Sequence, residues 1–296
     1  MAWKIGVDGG GTKTECILVD PSGAIALRKT GPGCSPSLVG AARAQEIAHE
    51  LMSSVADGHE IAATLLCMAG SRKMWKEFGE GLKGFGRTAA VDDSLPVLEL
   101  ATRGAPGVVL HAGTGSFVAA RAPDGSVHYA GGIGWRFGDE GSGYDLGRRA
   151  IARALLELQG WAAPSGLGPL VRERTGASTA ASVAGYFYGD PATNTGVAAL
   201  APEVLRLAGS GDAAAALAVT ESVGQLLKLA VTVTDQLFPG ARPEAFRAGV
   251  SGHILNHAFS YPALCRMAPF PLVRVVEPPI EGVRLLLESM GGPGPL

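Results

Sequence analysis

The chain has 296 residues, of which 47% are hydrophobic, and a formal net charge of −2 at pH 7. This length suffices for two domains with cores, and the balanced charge excludes a broad basic surface for nucleic acid or anionic membranes. No basic segment followed by an apolar core opens the sequence, and no uninterrupted apolar run approaches the roughly 20 residues of a membrane span. We therefore expect a cytoplasmic protein. The scattered cysteines form no CxxC pair and predict neither a zinc site nor a disulfide scaffold.

The first motif along the chain is the glycine-rich stretch WKIGVDGGGTKTECILVDPSG, residues 3–23. Walker A and dinucleotide-binding loops both open a helix, whereas the run CILV that follows these glycines is apolar and β-branched. The pattern instead predicts a strand, a glycine turn, a second strand, a tight turn and a third strand. Such a hairpin can hold a polyphosphate, because glycines let backbone N–H groups approach the phosphate oxygens.

The residues of this hairpin have distinct expected roles. The predicted phosphate ligands are Gly9, Gly10, Gly11, Thr12 and Lys13, and Thr14 offers a further hydroxyl. A bare Asp8 carboxylate would repel phosphate, so Asp8 predicts a Mg²⁺ ion, held directly or through water. The alternative is an ordinary glycine-rich turn with a solvated Asp8 and a solvated Lys13.

The same pattern recurs in PGVVLHAGTGSFVAARAPDGSV, residues 106–127. At a constant offset in residue number, Gly11-Thr12 corresponds to Gly113-Thr114, and Thr14 corresponds to Ser116. Two such loops in register predict a duplicated domain, with chance similarity of two hairpins as the alternative. The phosphate ligands expected in the second loop are Gly113, Thr114, Gly115 and Ser116.

These two loops resemble the phosphate loops of the sugar kinase/heat-shock-protein/actin superfamily. The stretch GGIGWRFGDEGSGYDLGRRAI, residues 131–151, is similar to the GGWGxxxGDEGSGxxxG signature of its N-acetylglucosamine kinase branch, the BadF/BadG/BcrA/BcrD-type ATPase family. The resemblance covers essentially the whole chain. It implies an α/β protein of two ribonuclease-H-like (actin-like ATPase) domains with an active-site cleft between them, using ATP and Mg²⁺.

A pair of carboxylates follows a predicted strand in AAVDDSLPVLELA, residues 89–101. One interpretation is capping of the next helix, since Asp at an N-cap accepts backbone N–H bonds. The other is a general base that takes the proton of a sugar hydroxyl during phosphoryl transfer. The family motif at this place is an Asn/Thr-Asp pair whose second residue is the base, which implies that Asp93 is catalytic and also contacts the sugar. Asp92 would then be the cap.

The resemblance also implies sugar contacts in the signature stretch. Its first acid bonds sugar hydroxyls in the resembling enzymes, which corresponds to Asp139, and Gly132 and Ile133 match backbone contacts to the sugar. Trp is common at the position of Ile133, and Trp135 either stacks on the sugar or fills the core between the domains. The alternative for Asp139 and Glu140 is capping of a helix predicted from Ser142 to Leu158.

The family usually has an Asn after the third strand that bonds the sugar. The matching stretch, TGPGCSPSLVG at residues 30–40, has Cys34 and Ser35 there. Ser35 is the expected sugar contact. It has one donor and a shorter reach than Asn, so the recognition of the sugar and of an N-acetyl group stays open.

The nucleoside end is expected in AGVSGHIL, residues 248–255, which predicts a strand, a glycine turn and a helix start. Gly249, Ser251 and Gly252 would let adenosine lie against the backbone, with Ser251 also a candidate N-cap. By the same analogy Ala201 lines the adenine pocket, and His253 contacts ribose or phosphate. An ordinary strand-to-helix junction with a structural His253 is the alternative.

We expect one domain over residues 1–117, with helices near 40–56 and over 95–102, and another over 118–296. The second carries an insert at about 160–194. A closing helix at about 280–290 packs back on the first domain in the family, and a homodimer through the second domain is likewise a family expectation.

The predicted function is ATP-dependent phosphorylation of an amino sugar, N-acetylglucosamine or glucosamine, at the 6-OH. N-acetylmuramate and glucose stay open as acceptors. One alternative is an ATPase that activates acyl-CoA dehydratases or reductases, which holds an iron–sulfur cluster that these cysteines do not match. The other is a catalytically silent sugar or nucleotide sensor, against which Asp8, Asp93 and Asp139 argue.

Overall fold

The protein is described by a computed structural model that covers residues 2–189 and 193–290. The chain divides into two compact units. The first unit runs to Arg103 and resumes at Glu277, and the second unit is Gly104–Val276.

The first unit is built on a five-stranded sheet in the order β3-β2-β1-β4-β5. Its strands are β1 (Trp3–Gly9), β2 (Lys13–Val19), β3 (Ile25–Pro32), β4 (Ile61–Met68) and β5 (Arg87–Asp92). Strands β1, β2 and β3 are antiparallel neighbours, whereas β4 and β5 continue the sheet in parallel with β1. Its helices are α1 (Pro36–Val39), α2 (Ala41–Ala56), α3 (Arg72–Gly81), α4 (Leu95–Thr102) and α12 (Pro279–Ser289).

Hydrophobic periodicity explains how these elements form. The central strand β4 reads IAATLLCM and is buried at nearly every position, as expected for a parallel strand covered on both faces. Helix α2 buries Ala44, Ile47, Ala48 and Met52 at helical spacing. Helix α3 begins after Ser71, whose side chain accepts a hydrogen bond from the Met74 N–H.

The C-terminal helix α12 packs within the first unit. The Lys4 Nζ atom donates to the Leu287 carbonyl at 2.7 Å. Side chains of Val283 and Leu287 lie so close to Gly6 that a Cβ there would come within 3 Å of both.

The second unit repeats the same sheet order. Its strands are β6 (Gly107–Ala112), β7 (Ser116–Arg121), β8 (Val127–Gly131), β9 (Arg247–Ser251) and β10 (Val273–Arg274). The sheet order β10-β9-β6-β7-β8 is that of the first unit, with β6 in the place of β1 and β9 in the place of β4. The second hairpin is therefore a structural duplicate of the first.

Helices cover the sheet of the second unit and fill the long connection between β8 and β9. They are α5 (Gly143–Leu158), α6 (Leu167–Thr175), α7 (Ala180–Gly189), α8 (Thr193–Ala198), α9 (Ala201–Gly209), α10 (Ala213–Leu237) and α11 (Ser260–Met267), with a 3₁₀ turn at Pro243–Ala245. The helices predicted near 40–56, over 95–102 and over 142–158 are confirmed as α2, α4 and α5.

Helix α10 is, among the described residues, the one helix long and apolar enough to span a membrane by length and composition. Val219, Val223 and Leu226 of α10 are buried in the core of the second unit. We interpret α10 as a core helix on this evidence.

The boundary between the units lies before β6, earlier in the chain than the expected boundary after residue 117. The reason is strand pairing: β6 pairs with β7 and in parallel with β9, so the whole hairpin belongs to the second unit. The expected insert at 160–194 contains α6, α7 and the beginning of α8, and its residues 190–192 lie outside the described residues.

Candidate active site

The turn between β1 and β2 presents backbone N–H groups to solvent. Gly10 N–H closes the turn by donating to the Lys13 carbonyl at 3.1 Å. Gly11 and Thr12 are exposed, and their N–H groups donate to no acceptor within the described residues. Exposed N–H groups in a glycine turn form a concave binding surface for anions such as phosphate.

The segment after β3 supports this turn from behind. The Cys34 N–H donates to the Gly10 carbonyl at 3.0 Å. A Cβ at Gly33 would lie 2.1 Å from the Gly11 carbonyl oxygen, which is closer than any real contact. Position 33 therefore requires glycine for the turn to keep its shape.

Two side chains next to the turn have partners within the first unit. Thr14 is fully buried, and its hydroxyl donates to the Pro32 carbonyl at 2.7 Å, so Thr14 does not serve as the further hydroxyl donor suggested by the sequence. Lys13 Nζ is 2.6 Å from Glu15, which also accepts from Arg28. Burial alone would raise the pKa of Glu15, but the hydrogen bonds from Lys13 and Arg28 hold that pKa below its ordinary value. The sequence reasoning did not single out Glu15 or Arg28.

Asp8 lies near the end of β1, opposite Glu15 on β2 and beside Cys67 on β4. Its pKa is raised to about 7, first by burial and then by the negative charges of Asp93 and Glu15, against the opposing charges of Lys13 and Arg28. A carboxylate in this position gains most from a bound cation, because a cation offsets both the burial and the repulsion.

Asp93 follows the end of β5 directly. Burial and then the charge of Asp92 raise the pKa of Asp93 to about 6, against hydrogen bonds from the backbone N–H groups of Asp93 and Ser94. The N-cap of α4 is Ser94, which makes no side-chain cap bond, so the helix-cap interpretation of Asp92 is wrong. Asp93 is a half-buried carboxylate whose pKa suits proton transfer near neutral pH.

The turn between β6 and β7 repeats the first turn with a helix behind it. Gly113 N–H donates to the Gly115 carbonyl, and Gly143 N–H, in the first turn of α5, donates to the Gly113 carbonyl, both at 2.8 Å. Thr114 is exposed, and the N–H groups of Thr114 and Gly115 have no acceptor in the described part of the chain. The positive end of the α5 dipole adds to the attraction for an anion here.

Ser116 faces away from this turn. It is buried, and its hydroxyl donates to the Glu140 carbonyl at 2.6 Å. The hydroxyl thereby connects the second hairpin to the signature stretch, residues 131–151.

Asp139 lies within the signature stretch and is buried. Its backbone is left-handed, at φ 65°. A Cβ on Gly115 would lie 3.1 Å from Asp139 Oδ2, so the carboxylate lies directly against the second turn. Burial raises the pKa of Asp139, against backbone hydrogen bonds from Gly134 and Ser116. The N-cap of α5 is Ser142, whose side chain accepts a hydrogen bond from the Asp145 N–H. Asp139 and Glu140 therefore do not cap α5.

The other residues of this stretch differ in exposure. Gly132 lies against Phe117, while the side chain of Ile133 is 69% exposed. Trp135 is half-buried and packs on Tyr144 of α5, with ring centroids 5.0 Å apart.

The chain after β9 does not begin a helix at Gly252, contrary to the prediction. Turns occupy residues 252–259, and α11 begins at Ser260 with Phe259 as its N-cap, so Ser251 is not an N-cap. Gly252 has φ 87°, and a Cβ there would lie 2.1 Å from the Ala112 carbonyl oxygen. Close backbone approach between β6 and β9 thus explains this glycine.

The remaining nucleoside residues lie at β9 and around it. Gly249 pairs with Val109 within the sheet. His253 is exposed, and Ala201 is fully buried at the start of α9, 3.6 Å from a Cβ built on Gly143.

His111 is a residue of this region that the sequence reasoning missed. Its Nδ1 is 3.3 Å from Ser251 Oγ, and its ring stacks on Phe117 at 4.9 Å. Burial and then the charge of His253 lower its pKa to about 4, so the imidazole is neutral at pH 7. Its position next to the end of β6, equivalent to that of Asp8 in β1, was the available signal.

Ser35, the expected sugar contact, is buried. Its hydroxyl lies 3.0 Å from the Ser37 hydroxyl, and Cys34 beside it is buried as well.

The strand order, repeated in two units with a phosphate-type turn in each, defines a duplicated ribonuclease-H-like fold. The family model described as the BadF/BadG/BcrA/BcrD ATPase family matches residues 5–240, and the chain belongs to this family.

Curated relatives include two kinases. The chain is 28% identical over 168 residues to the N-acetylmuramic acid/N-acetylglucosamine kinase of Clostridium acetobutylicum, a match that covers 52% of this chain and 54% of that protein. It is 27% identical over 255 residues to the N-acetyl-D-glucosamine kinase of Dictyostelium discoideum, covering 79% of each. The chain thus spans about half the length of the first relative and most of the second.

Solved structures agree on the fold. A candidate N-acetylglucosamine kinase from Chromobacterium violaceum superposes with a TM-score of 0.77 at 27% identity, covering 97% of this chain and 99% of that one. A ROK family glucokinase from Streptomyces griseus superposes with a TM-score of 0.58 at 15% identity, covering 98% and 100%, and shows the fold alone.

Proposed function

We propose that this protein transfers the γ-phosphoryl group of ATP to a hydroxyl of an amino sugar, with N-acetylglucosamine or glucosamine as the acceptor and the primary 6-OH as the site. The observation that carries the proposal is Asp93, a half-buried carboxylate of the first unit with a pKa of about 6, close enough to Asp8 for the two charges to interact. A sugar hydroxyl is a poor nucleophile, and a base that removes its proton is what phosphoryl transfer to it needs. The names of the two curated relatives support the same activity.

In this proposal the two turns bind the ATP phosphates through backbone N–H groups. The ligands are Gly9, Gly10, Gly11 and Thr12 in the first turn, aided by Lys13, and Gly113, Thr114, Gly115 and Ser116 in the second. The exposed N–H groups of both turns support these roles. Ser116 contributes through its backbone, because its hydroxyl donates to Glu140.

The nucleoside and sugar ligands follow the family resemblance. Ala201, Gly249, Ser251, Gly252 and His253 would hold the adenosine. Asp139, Gly132, Ile133 and Ser35 would contact the sugar together with Asp93.

ATP-using enzymes of this family use a divalent metal, and we propose Mg²⁺ at Asp8. No group of three or more His, Cys, Asp or Glu side chains within the described residues could hold a metal alone. That fits Mg²⁺, which is usually held by one or two carboxylates, water and the phosphates of the substrate. The raised pKa of Asp8 marks the place where a cation relieves the most repulsion. The ion, when bound, neutralises charge on the phosphates.

In this proposal the backbone of the two turns and the Asp93 side chain have different roles in catalysis. The backbone N–H groups orient the phosphate chain, so that positioning supplies most of the rate enhancement. The Asp93 carboxylate accepts the hydroxyl proton. A pKa near 6 leaves it ionised at pH 7.5, yet makes it a stronger base than an ordinary aspartate.

ADP release with Mg-ATP should be measured over a panel of amino sugars and plain hexoses, for the wild type and for Asp93→Asn. We expect turnover with one amino sugar, and a loss of kcat of roughly 10²- to 10⁴-fold in Asp93→Asn with ATP binding retained. Asp92→Asn is the matched control, because it removes the neighbouring carboxylate and should retain kcat within several-fold. Turnover that ignores every sugar would contradict the proposal.

The same proposal includes a cytoplasmic location, which the two curated kinase relatives support, and a homodimer, which the family resemblance implies. Sedimentation velocity at micromolar concentration tests it: a monomer at every concentration would refute this part alone.

A further inference from the structure

Glu15 of β2 is a buried carboxylate that none of the phosphate, metal or base roles proposed above uses. It is 3% exposed, and a Glu is buried to this extent only rarely unless its charge is paired. Lys13 Nζ donates to its Oε2 at 2.6 Å. Arg28 donates to its Oε1 from Nη2 at 2.6 Å and from Nε at 3.0 Å. Each carboxylate oxygen therefore has a cationic partner.

The strand register places this cluster next to Asp8. Alternate residues of a strand project from the same face, so Lys13 and Glu15 lie on one side of β2. Asp8 of β1 is directly opposite Glu15, and opposed side chains of an antiparallel pair share a face, with Cβ atoms roughly 4.5–5.5 Å apart. Thr14 projects to the other side, where it donates to Pro32. The Lys13 ammonium is thus held on the face of the sheet that carries Asp8.

Arg28 fixes the orientation of the Glu15 carboxylate. It lies on β3 opposite Ile17, on the same face of the sheet as Glu15. Two donors of one planar guanidinium contact a single oxygen, which restrains the carboxylate more than a rotatable ammonium can. The order of support therefore runs from Arg28 to Glu15 and from Glu15 to Lys13.

Lys13 keeps donors free while it is held in this way. Its carbonyl closes the first turn by accepting from the Gly10 N–H at 3.1 Å, so the residue belongs to that turn. An ammonium group has three N–H donors, and Glu15 is its one acceptor within the part of the chain that the structure describes. The Lys13 side chain is 55% exposed. Its remaining donors are available to an anion from solvent.

We propose that Glu15 is a positioning residue for ATP: it holds the Lys13 ammonium in place for the phosphates, and Arg28 holds Glu15. This inference rests on the proposed function, in which Lys13 aids the first turn. It adds two residues that act on the nucleotide through another side chain. A restrained lysine loses less conformational freedom on binding than a free one, so the effect falls on the Kd for ATP.

A double-mutant cycle on the Kd for ATP, measured by calorimetry, tests this role. Lys13→Met should raise the Kd roughly 10-fold, and Glu15→Gln, which keeps the size of the side chain, about 5-fold. The double variant should match Lys13→Met within about 2-fold, because without the ammonium Glu15 has nothing to position. A purely structural role of Glu15 would instead multiply the two effects, to about 50-fold.

Two further variants complete the experiment. Arg28→Gln should raise the Kd for ATP about 3-fold, and it replaces Glu15→Gln in the cycle if that variant does not fold in thermal melts. Glu46→Gln is the matched control, because it removes an exposed partner of Arg43 on α2 of the same unit, at 3.1 Å. This control should leave the Kd within about 2-fold of the wild type.

Two results would overturn the inference. One is multiplication of the two effects. The other is a lower Kd in Glu15→Gln, since Glu15 would then compete with phosphate for Lys13 instead of positioning it. Calorimetry with ATP needs no acceptor. A protein that binds ATP and phosphorylates no sugar therefore contradicts the proposed function, while the cycle still decides the role of Glu15.

Discussion

The two hairpins have the same strand arrangement, although the second turn is one residue shorter, and they differ in the side chain one residue before the end of the first strand. In the first hairpin that side chain is Asp8, with a pKa raised to about 7, and in the second it is His111, with a pKa lowered to about 4. Burial drives both shifts and in each case favours the neutral form. The neighbours differ as well, since Asp8 faces Glu15 across the hairpin and His111 faces Phe117.

This difference shows how the two copies of a duplicated fold can take different binding roles. The first hairpin pairs two carboxylates, Asp8 and Glu15, and this is where we propose the cation. The second has the neutral His111 in that place and the N-terminus of α5 behind its turn, although the Asp139 carboxylate lies against Gly115. What the two hairpins keep in common is the part that contacts any phosphate: a short glycine turn with exposed N–H groups.

The strongest test of this division exchanges the two side chains for the same amide. Asp8→Asn should lower kcat with Mg-ATP on the order of 100-fold, because the carboxylate proposed to hold Mg²⁺ at the phosphates is lost. His111→Asn should change kcat less than about 3-fold, since a neutral group replaces a neutral group. Steady-state kinetics at saturating magnesium measures both, and equal losses in the two variants would break the comparison.

The glycines behind the turns should matter equally in both units. Gly33→Ala and Gly252→Ala each place a Cβ 2.1 Å from a carbonyl oxygen of the turn or of β6, so each turn must shift. We expect the Kd for ATP to rise by roughly 10-fold in both, by calorimetry.

Gly81→Ala and Gly209→Ala are the matched controls, because nothing lies within 4 Å of a Cβ at either position. ATP binding that is unchanged in one of the two turn variants would show that this turn does not contact the nucleotide.

The raised pKa of Asp8 in the first hairpin predicts a specific pH dependence of stability. The pKa of Asp8 is higher in the folded chain than its ordinary value of 3.8, so the free energy of unfolding falls as pH rises from about 4 to about 7 and then levels off. Asp8→Asn removes this loss and should therefore stabilise the apoprotein at pH 8 by roughly 2–4 kcal/mol, and much less at pH 4.5. Thermal melts at both pH values measure the difference, and a gain of equal size at both would refute the shift.

Hydroxyl groups give the smallest effect. Thr12→Ala and Thr114→Ala remove exposed hydroxyls at the turns, and should weaken ATP binding by about 3-fold without changing Tm. Thr14→Val removes the hydroxyl that donates to the Pro32 carbonyl, and should cost about 1 kcal/mol of stability with little effect on ATP binding. If Thr14→Val instead weakened ATP binding and left the stability unchanged, Thr14 would be a phosphate ligand.

Local patterns in the sequence were enough to predict both hairpins and helices α2, α4 and α5, because turn residues and apolar spacing act over a few residues. The boundary between the units was not predictable this way. It depends on the parallel pairing of β6 with β9, which lies more than a hundred residues further along the chain.

The hydrogen bonds and protonation states of side chains in the site also depend on residues that are distant in the sequence. The buried hydroxyl of Thr14 and the neutral state of His111 depend on neighbours from other strands. The helix expected at Gly252 fails for a related reason: close approach to Ala112 demands a glycine there, and the glycine was mistaken for a helix-start signal.

The proposed reaction transfers the γ-phosphoryl group of ATP to a sugar. The direct measurement is the fate of labelled γ-phosphate from Mg-ATP, divided between sugar phosphate and inorganic phosphate, with and without N-acetylglucosamine or N-acetylmuramic acid. We predict that most of the label appears on the sugar and that release of inorganic phosphate stays low when sugar is absent. Label that appears only as inorganic phosphate, at a rate independent of sugar, would contradict the claim and favour an ATPase that drives another protein.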